Sequence, residues 1–324
     1  MNAPAPAPGR VAAPPAPASG RTECPRLAAV SDYYGQRQGT TYLQIFSEPA
    51  GAGERVVHRE LRDQDAYDTW HLSLYFKEVL AYRRLLREHE LTLDDLPRKE
   101  KNLLVYLMLA ARPAFRSVLE LGSSLFELID GLEVVQRYFA GTPGGPRVDP
   151  RQLCYTGVEI SALLAQASIE LHPGYGVTIL PDFSRLDRRH DLIYDRNVTS
   201  YAFTTAGELA AFINHGQAAL MNLFVSTGET FTSARLGKAL TYFSLRETIQ
   251  RLDRPLYHLF GFKAPGPHAG RDLAMGRPVV EGFFLCADEG FAADFMRLVE
   301  ADAEIARYFR QKGIALTHAR ELLT

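Results

Sequence analysis

The chain has 324 residues, 46% of them hydrophobic, and a formal net charge of -2. This apolar content is ample for a buried core in one large or two modest domains, which predicts a globular protein. Lys and Arg are scattered, which disfavours the basic face of a nucleic-acid-binding module, so we expect no nucleic-acid partner. No run of about 18 apolar residues occurs, so we also expect no membrane-spanning helix and no membrane partner.

Three cysteines, Cys24, Cys154 and Cys286, lie far apart in the chain. Their spacing fits neither a disulfide framework nor a paired metal site, and it favours a reducing, cytoplasmic location. Cys154 and Cys286 stand in apolar runs and are predicted to be small core residues. The nine histidines form no two-histidine helical pair, so no metal ion is expected.

The first 30 residues are rich in Pro and Ala, and their prolines interrupt every apolar run. We expect a disordered tail there and no signal peptide. Residues 31–112 are predicted to form a cap or lid. It would contain a hairpin, with strands at 42–46 and 55–58 around a loop at 48–53, and helices over 70–90 and 97–111.

From residue 113 to 288, short apolar runs alternate with helical segments, which predicts an α/β domain with a mostly parallel sheet covered on both faces. A Gly- and Pro-rich loop at 265–278 joins the last two strands, so we expect them to be antiparallel. The segment 289–324 is predicted to form two helices, at 291–310 and 315–323, which could cover the sheet edge or pair two subunits in a homodimer. The predicted strands are 117–121, 153–159, 177–180, 191–194, 219–226, 256–262 and 279–287, and the helices among them are 125–138, 161–170, 206–214 and 244–251.

Acidic residues stand at the carboxyl ends of the first two predicted strands. Glu120 and Gly122 end the first strand just before a helical segment, and Glu159 ends the second, also before a helical segment. A buried parallel strand can deliver a carboxylate and a closely approaching backbone to a small ligand in this way. Two acids at two strand ends therefore indicate a nucleoside site.

Four segments carry a resemblance to a known family: 118–122, 157–161, 180–183 and 191–195. Over about residues 115–287 the chain resembles the class I S-adenosylmethionine-dependent methyltransferases. The resemblance implies a Rossmann-like seven-stranded mixed sheet of order 3-2-1-4-5-7-6, with helices on both faces and an N-terminal hairpin or helical cap. It also implies S-adenosylmethionine as the cofactor.

Two features depart from that family. Ser124 and Phe126 occupy the second and third positions of a loop that usually has three alternating glycines. Glu159 follows Glu120 by 39 residues, where about 20 is usual in the simplest nucleotide-binding unit. A surface loop inserted at 140–150 would explain the longer spacing.

Carried onto this sequence, the resemblance implies specific cofactor contacts. Glu159 would accept hydrogen bonds from both ribose hydroxyls, and Glu159→Ala would weaken cofactor binding and leave the fold intact. Asp182 would accept from the exocyclic amine of adenine with Phe183 beside the ring, and Glu120 would hold the methionine ammonium. The predicted cofactor-binding set is Glu120, Gly122, Ser123, Glu159, Ile160, Asp182, Phe183 and Asp195.

The acceptor site is predicted around residues 194–201, after the fourth strand. Tyr194 or Asp195 could remove a proton from an oxygen or nitrogen acceptor, and Asn197 could align it. Arg196 could pair with a carboxylate or phosphate group, while Tyr201 and Tyr75 would contact the substrate. The candidate lid residues are Trp70, His71, Tyr75, Phe76 and the pair Tyr33-Tyr34.

The sequence therefore predicts methyl transfer to a nitrogen or oxygen of a small polar metabolite. One alternative keeps the cofactor but cyclises its amino acid portion and releases methylthioadenosine. A second alternative is a Rossmann-like scaffold subunit without a cofactor. The motifs of a serine hydrolase elbow and of a phosphate-binding loop are both missing from the sequence, which disfavours those enzyme classes.

Overall fold

The computed structural model describes residues 48–50, 53–55, 64–87, 90–96, 99–142, 144–186, 188–195, 198–235, 238–261 and 279–324. The predicted tail, the pair Tyr33-Tyr34, the strand predicted at 42–46 and the loop predicted at 265–278 lie outside these residues. So do Arg196 and Asn197.

An N-terminal hairpin is present, but its strands differ from the predicted ones. β1 (Glu48–Ala50) pairs antiparallel with β2 (Gly53–Arg55), and Glu48 stands opposite Arg55. Both strands fall in or next to the segment predicted as the loop, so the hairpin is tighter than the Gly- and Pro-rich composition indicated.

Two helices precede the sheet, α1 (Gln64–Leu85) and α2 (Lys99–Ala111). α2 is apolar on nearly every side, and residues 103–109 are all buried, as expected for a helix inside a core. Among the helices of the described part of the chain, none combines the length and apolar character that crossing a membrane requires.

The sheet confirms the predicted fold. Its order along one path is β12-β10-β11-β7-β6-β3-β4-β5, and the seven predicted strands within it follow the order 3-2-1-4-5-7-6. β3 to β7 are parallel and β10 and β11 are antiparallel, as predicted. Their bounds are β3 (Ser117–Leu121), β4 (Cys154–Val158), β5 (Gly176–Leu180), β6 (His190–Asp195), β7 (Gly216–Ser226), β10 (Leu256–Gly261) and β11 (Val279–Cys286).

Helices cover both faces of this sheet because neighbouring strand residues point in opposite directions. Val118 packs in the main hydrophobic cluster with α2, α3 (Glu127–Ala140) and α8 (Glu289–Ala301). Leu119 packs on the other face, with α6 (Ala206–Ile213) and α7 (Leu245–Arg251). Two further helices, α4 (Ala162–Leu171) and the short α5 (Thr199–Ala202), follow β4 and β6.

A hairpin that was not predicted extends the sheet beyond β7. β8 (Phe231–Arg235) pairs antiparallel with β9 (Lys238–Ser244), and β9 runs parallel to the end of β7, with Val225 opposite Phe243. The sequence carries a signal for it, since β-branched and aromatic residues cluster at 230–232 and 241–243, on either side of Gly237.

The C-terminal prediction of two helices is wrong in two places. The first helix is interrupted at Asp302, whose Oδ1 accepts hydrogen bonds from the backbone N–H groups of Glu304 (2.9 Å) and Ile305 (3.1 Å) and so caps α9 (Ala303–Lys312). The second segment forms β12 (Thr317–His318), which pairs with β10, and a 3₁₀ turn. Pairing with an open sheet edge outweighs the helical pattern of so short a segment.

The two described cysteines differ. Cys286 is buried, and burial raises the pKa of its thiol to about 11. Cys154 is exposed, so the prediction that it is a core residue is wrong. It begins β4 opposite Gly176, which has no side chain to cover it.

Two histidines should make the fold sensitive to acid. Burial lowers the pKa of both His190, which bonds Thr156 Oγ1 at 3.0 Å, and His258 below the ordinary 6.5. The unfolded chain takes up protons near 6.5 while the folded protein resists them, so stability is lost as the pH falls through 6.5 and regained above it. In urea unfolding from about pH 7.5 to about pH 5.5, His190→Asn with His258→Asn should show a smaller loss than the wild type. An equal loss would contradict this assignment.

Candidate functional site

The carboxyl ends of four parallel strands meet at one edge of the sheet. Leu121 of β3 stands opposite Val158 of β4 and Asp195 of β6, and Val158 stands opposite Leu180 of β5. The turns that follow these strands are therefore neighbours. In doubly wound folds, ligands bind outside such carboxyl ends, where the strand order reverses.

The loop between β3 and α3 has left-handed backbone at three alternating positions. Gly122 has φ of +68°, Ser124 +49° and Phe126 +54°. A non-glycine residue costs about 1–2 kcal/mol in this conformation, so the surroundings must hold it there. Phe126 is buried with its ring edge-on to Tyr155, 5.8 Å between centroids. The loop thus has left-handed backbone at all three positions where the family has glycine, although two of them hold other residues.

Gly122 also has a packing reason to be glycine. A Cβ at this position would overlap Cγ2 of Val198, in the turn after β6. The first loop and the turn after β6 are therefore in close contact.

Glu159 ties two of the turns together. Its Oε2 accepts the backbone N–H of Ser124 at 3.0 Å, and its Oε1 accepts the backbone N–H of Ser161 at 2.9 Å. The side chain is 9% exposed. A carboxylate has about four acceptor positions, so it can bind more donors than these two amides.

Ser123 is buried beside the second strand. Its Oγ has no hydrogen-bond partner within the described residues, which is uncommon for a buried hydroxyl. Gly157 gives it room, because a Cβ on residue 157 would lie 2.7 Å from Ser123 Cβ and 2.8 Å from Ile179 Cδ1.

Gly157→Ala should therefore destabilise the protein by about 1–3 kcal/mol through overpacking. Removing the opposing side chain, in Gly157→Ala with Ser123→Gly, should recover most of the loss. Gly141→Ala is the control, since its Cβ would meet only Tyr138 O at 3.5 Å. Equal urea midpoints for Gly157→Ala and Gly141→Ala would contradict the packing.

Glu120 and Tyr194 stand opposite each other on β3 and β6, on one face of the sheet. Both side chains are buried. Glu120 lies two residues before Gly122, so a buried carboxyl group stands directly behind the loop.

Apolar side chains are exposed at the same edge. Ile160 is 81% exposed, Phe183 39% and Tyr201 41%. They follow β4, β5 and β6 respectively, and the Phe183 ring lies 4.8 Å from that of Phe203. Five large apolar residues are exposed in the described part of the chain, and three of the five lie at this edge. Such residues suit a flat aromatic ligand.

Asp182 stands beside Phe183 at the end of β5. Its Oδ1 accepts the backbone N–H of Ser184 at 2.9 Å and also the Ser184 hydroxyl, and its Oδ2 lies 3.7 Å from Arg185 Nε. The Ser184 hydrogen bond lowers the pKa of Asp182 below its ordinary value. Asp182 therefore stays ionised and can accept from an N–H group.

Asp195 is fully buried and has a structural role. Its Oδ1 accepts the backbone N–H groups of Val198 (2.8 Å) and Thr199 (3.2 Å), which caps α5. Tyr194 is buried in the main core. The catalytic roles of Tyr194, Asp195 and Asn197 stay predictions, as does the substrate-binding role of Arg196.

Tyr75 and Phe76 lie on α1 and are half-buried. They pack against a small cluster that contains Leu125 of the first loop and Leu164 of α4. α1 therefore lies next to the candidate site. The side chains of Trp70 and His71 lie outside the described part of the structure.

Metal binding has no candidate group in the described ranges, which hold no cluster of three or more His, Cys, Asp or Glu side chains suited to an ion.

No protein-family model matches the sequence, and no curated protein matches it. Several solved structures are similar to this chain. The N-terminal domain of EvdMO1 with SAH bound is 11% identical, with a TM-score of 0.39 over 66% of this chain and 97% of that chain. The sugar N-methyltransferase KedS8 from Streptoalloteichus sp ATCC 53650 is 14% identical, with a TM-score of 0.37 over 74% and 99%. The plantazolicin methyltransferase BpumL in complex with SAH is 12% identical, with a TM-score of 0.35 over 81% and 98%.

Proposed function

We propose that this protein is an S-adenosylmethionine-dependent methyltransferase that acts on a nitrogen or oxygen of a small polar metabolite. One observation carries the proposal. Carboxylates and exposed apolar side chains follow consecutive parallel strands along one sheet edge, beside a loop with three left-handed positions. The strand order is the one that the resemblance implies.

The residues of this edge fit the parts of the cofactor. Glu159, which holds the amides of Ser124 and Ser161, would also accept hydrogen bonds from the ribose hydroxyls, as a carboxylate with two oxygens can. Ile160 and Phe183 would flank the adenine ring, and Asp182 would accept from its amine. The buried carboxyl group of Glu120 would hold the methionine ammonium, directly or through water.

Bound S-adenosylmethionine supplies a methyl group already activated by a sulfonium. The protein then has to hold the acceptor in line and keep water out. Tyr201 is exposed after β6 and Tyr75 is half-buried on α1, and we expect both to contact the acceptor. The absence of a basic stripe in the sequence favours a small acceptor over a nucleic acid.

Thermal unfolding with and without ligand tests the cofactor. S-adenosylhomocysteine at about 100 times its dissociation constant should stabilise the protein by about 2.7 kcal/mol. If neither this compound nor S-adenosylmethionine raises the unfolding temperature, the result would favour the alternative of a scaffold subunit without a cofactor.

Mass spectrometry of the nucleoside product then tests the reaction. S-adenosylhomocysteine is expected once an acceptor is supplied. Methylthioadenosine formed without an acceptor would instead indicate cyclisation of the amino acid portion.

A further inference from the structure

A cavity lies at the edge of the sheet opposite the candidate cofactor site. Its volume is about 440 Å³, which is within the usual range of small-molecule pockets. Arg116 and Leu153 line it, and they immediately precede β3 and β4, so the cavity opens at the amino ends of the strands. It shares no lining residue with the candidate cofactor site.

The inserted loop at 140–150 builds one wall of this cavity through Arg147, Val148 and Asp149. Tyr106 of α2 fixes that wall, because its hydroxyl donates to Pro146 O at 3.3 Å and accepts from the Val148 N–H at 3.0 Å. The Tyr106 ring in turn stacks on Phe139 at 5.3 Å. The loop that lengthens the spacing between Glu120 and Glu159 is thus held in place by the core.

The floor of the cavity is apolar and partly aromatic. Leu109, Phe115, Val148 and Leu153 are all buried and line it together with Tyr106. Phe115 is itself backed by Phe291, with 5.6 Å between the ring centroids. A flat hydrophobic group could lie on this floor without displacing a polar side chain.

The rim carries more positive than negative charge. Arg116 and Arg147 are exposed, whereas the Asp149 carboxylate already accepts the N–H of Arg151 and the Nε2 of Gln152, both at 3.0 Å. Arg116 Nη1 donates to the carbonyls of Pro113 and Phe115, which orients its guanidinium. Guanidinium groups bind carboxylates strongly, because two parallel N–H donors match the two carboxylate oxygens.

We propose that this cavity binds a small aromatic carboxylate, with its ring on the floor and its charge between Arg116 and Arg147. The proposal is independent of the proposed function, because it uses other residues at the other edge of the sheet.

The test is calorimetric titration of the full chain with naphthoate, and with naphthamide as the uncharged analogue of the same shape. Naphthoate should bind at least about tenfold more tightly than naphthamide, and Arg116→Ala and Arg147→Ala should each weaken it by about tenfold. Arg246→Ala, an exposed arginine on α7, is the control and should leave affinity unchanged. Arg147→Lys keeps the positive charge and should lose less naphthoate affinity than Arg147→Ala.

Saturating S-adenosylhomocysteine separates this site from the carboxyl edge and should leave naphthoate affinity unchanged. Competition between the two ligands would overturn the proposal. So would undetectable naphthoate binding at millimolar concentration, or wild-type affinity in both alanine variants.

Discussion

Glu159→Ala is expected to lower the free energy of unfolding by about 2–4 kcal/mol and to weaken S-adenosylhomocysteine binding by tenfold or more. The substitution removes the acceptor of two backbone N–H groups, those of Ser124 and Ser161, and leaves them in a buried region. The Ser124 amide belongs to a left-handed residue, so the loop between β3 and α3 also loses a restraint. The sequence predicts that Glu159→Ala leaves the fold intact. The structure adds that the variant should be less stable than the wild type.

Urea unfolding and calorimetry measure the two effects separately. Glu170→Ala is the matched control, because Glu170 is exposed on α4, where its Oε1 accepts a hydrogen bond from Gln166 Nε2 at 2.9 Å. It should change stability by less than about 0.5 kcal/mol and leave affinity unchanged. Wild-type stability in Glu159→Ala would contradict the loop contacts, and wild-type affinity would remove Glu159 from the cofactor site.

Asp130→Ala is expected to destabilise the protein by about 3 kcal/mol. Asp130 on α3 is buried, and its carboxylate oxygens contact Arg83 Nε of α1 at 2.9 Å and His172 Nε2 at 2.8 Å. Arg83 also donates to the carbonyl of Leu171 at 2.7 Å, at the end of α4. Arg83 is one-third exposed, so water can solvate its guanidinium group when Asp130 is removed. We therefore expect a smaller loss in the free energy of unfolding than for a fully buried ion pair.

Asp294→Ala provides the comparison, because Asp294 also pairs with an arginine, Arg112, but both side chains are about one-third exposed. Asp294→Ala should lower the free energy of unfolding by less than about 1 kcal/mol. Hydrogen exchange should show α1 opening more readily in Asp130→Ala than in the wild type. Equal losses in the free energy of unfolding for Asp130→Ala and Asp294→Ala would contradict the role of Asp130 in anchoring α1.

The sheet was predictable because buried parallel strands are continuous apolar runs bounded by turn residues. The same runs placed Glu120, Glu159 and Asp182 at one edge, since the carboxyl ends of parallel strands meet. Predictions failed where a distant contact decided the outcome. The helix at 315–323 gave way to strand pairing with β10, and Cys154 is exposed because its neighbour across the strands is Gly176.

The first loop shows the same limit. Nothing local indicates that Ser124 and Phe126 take a left-handed backbone, because their stabilising partners are Glu159, 35 residues beyond Ser124, and Tyr155. The capping role of Asp195 was equally hidden, since it depends on where the backbone N–H groups of Val198 and Thr199 lie.

Hydrogen–deuterium exchange of the full chain, with and without S-adenosylhomocysteine, tests the central claim most directly. We predict slower exchange in the turns after β3, β4 and β5, at residues 122–126, 159–162 and 181–185, and no change at 147–153 on the opposite edge. Protection confined to the opposite edge, or exchange that the ligand leaves unaltered in all three turns, would contradict a cofactor site at the carboxyl ends of these strands.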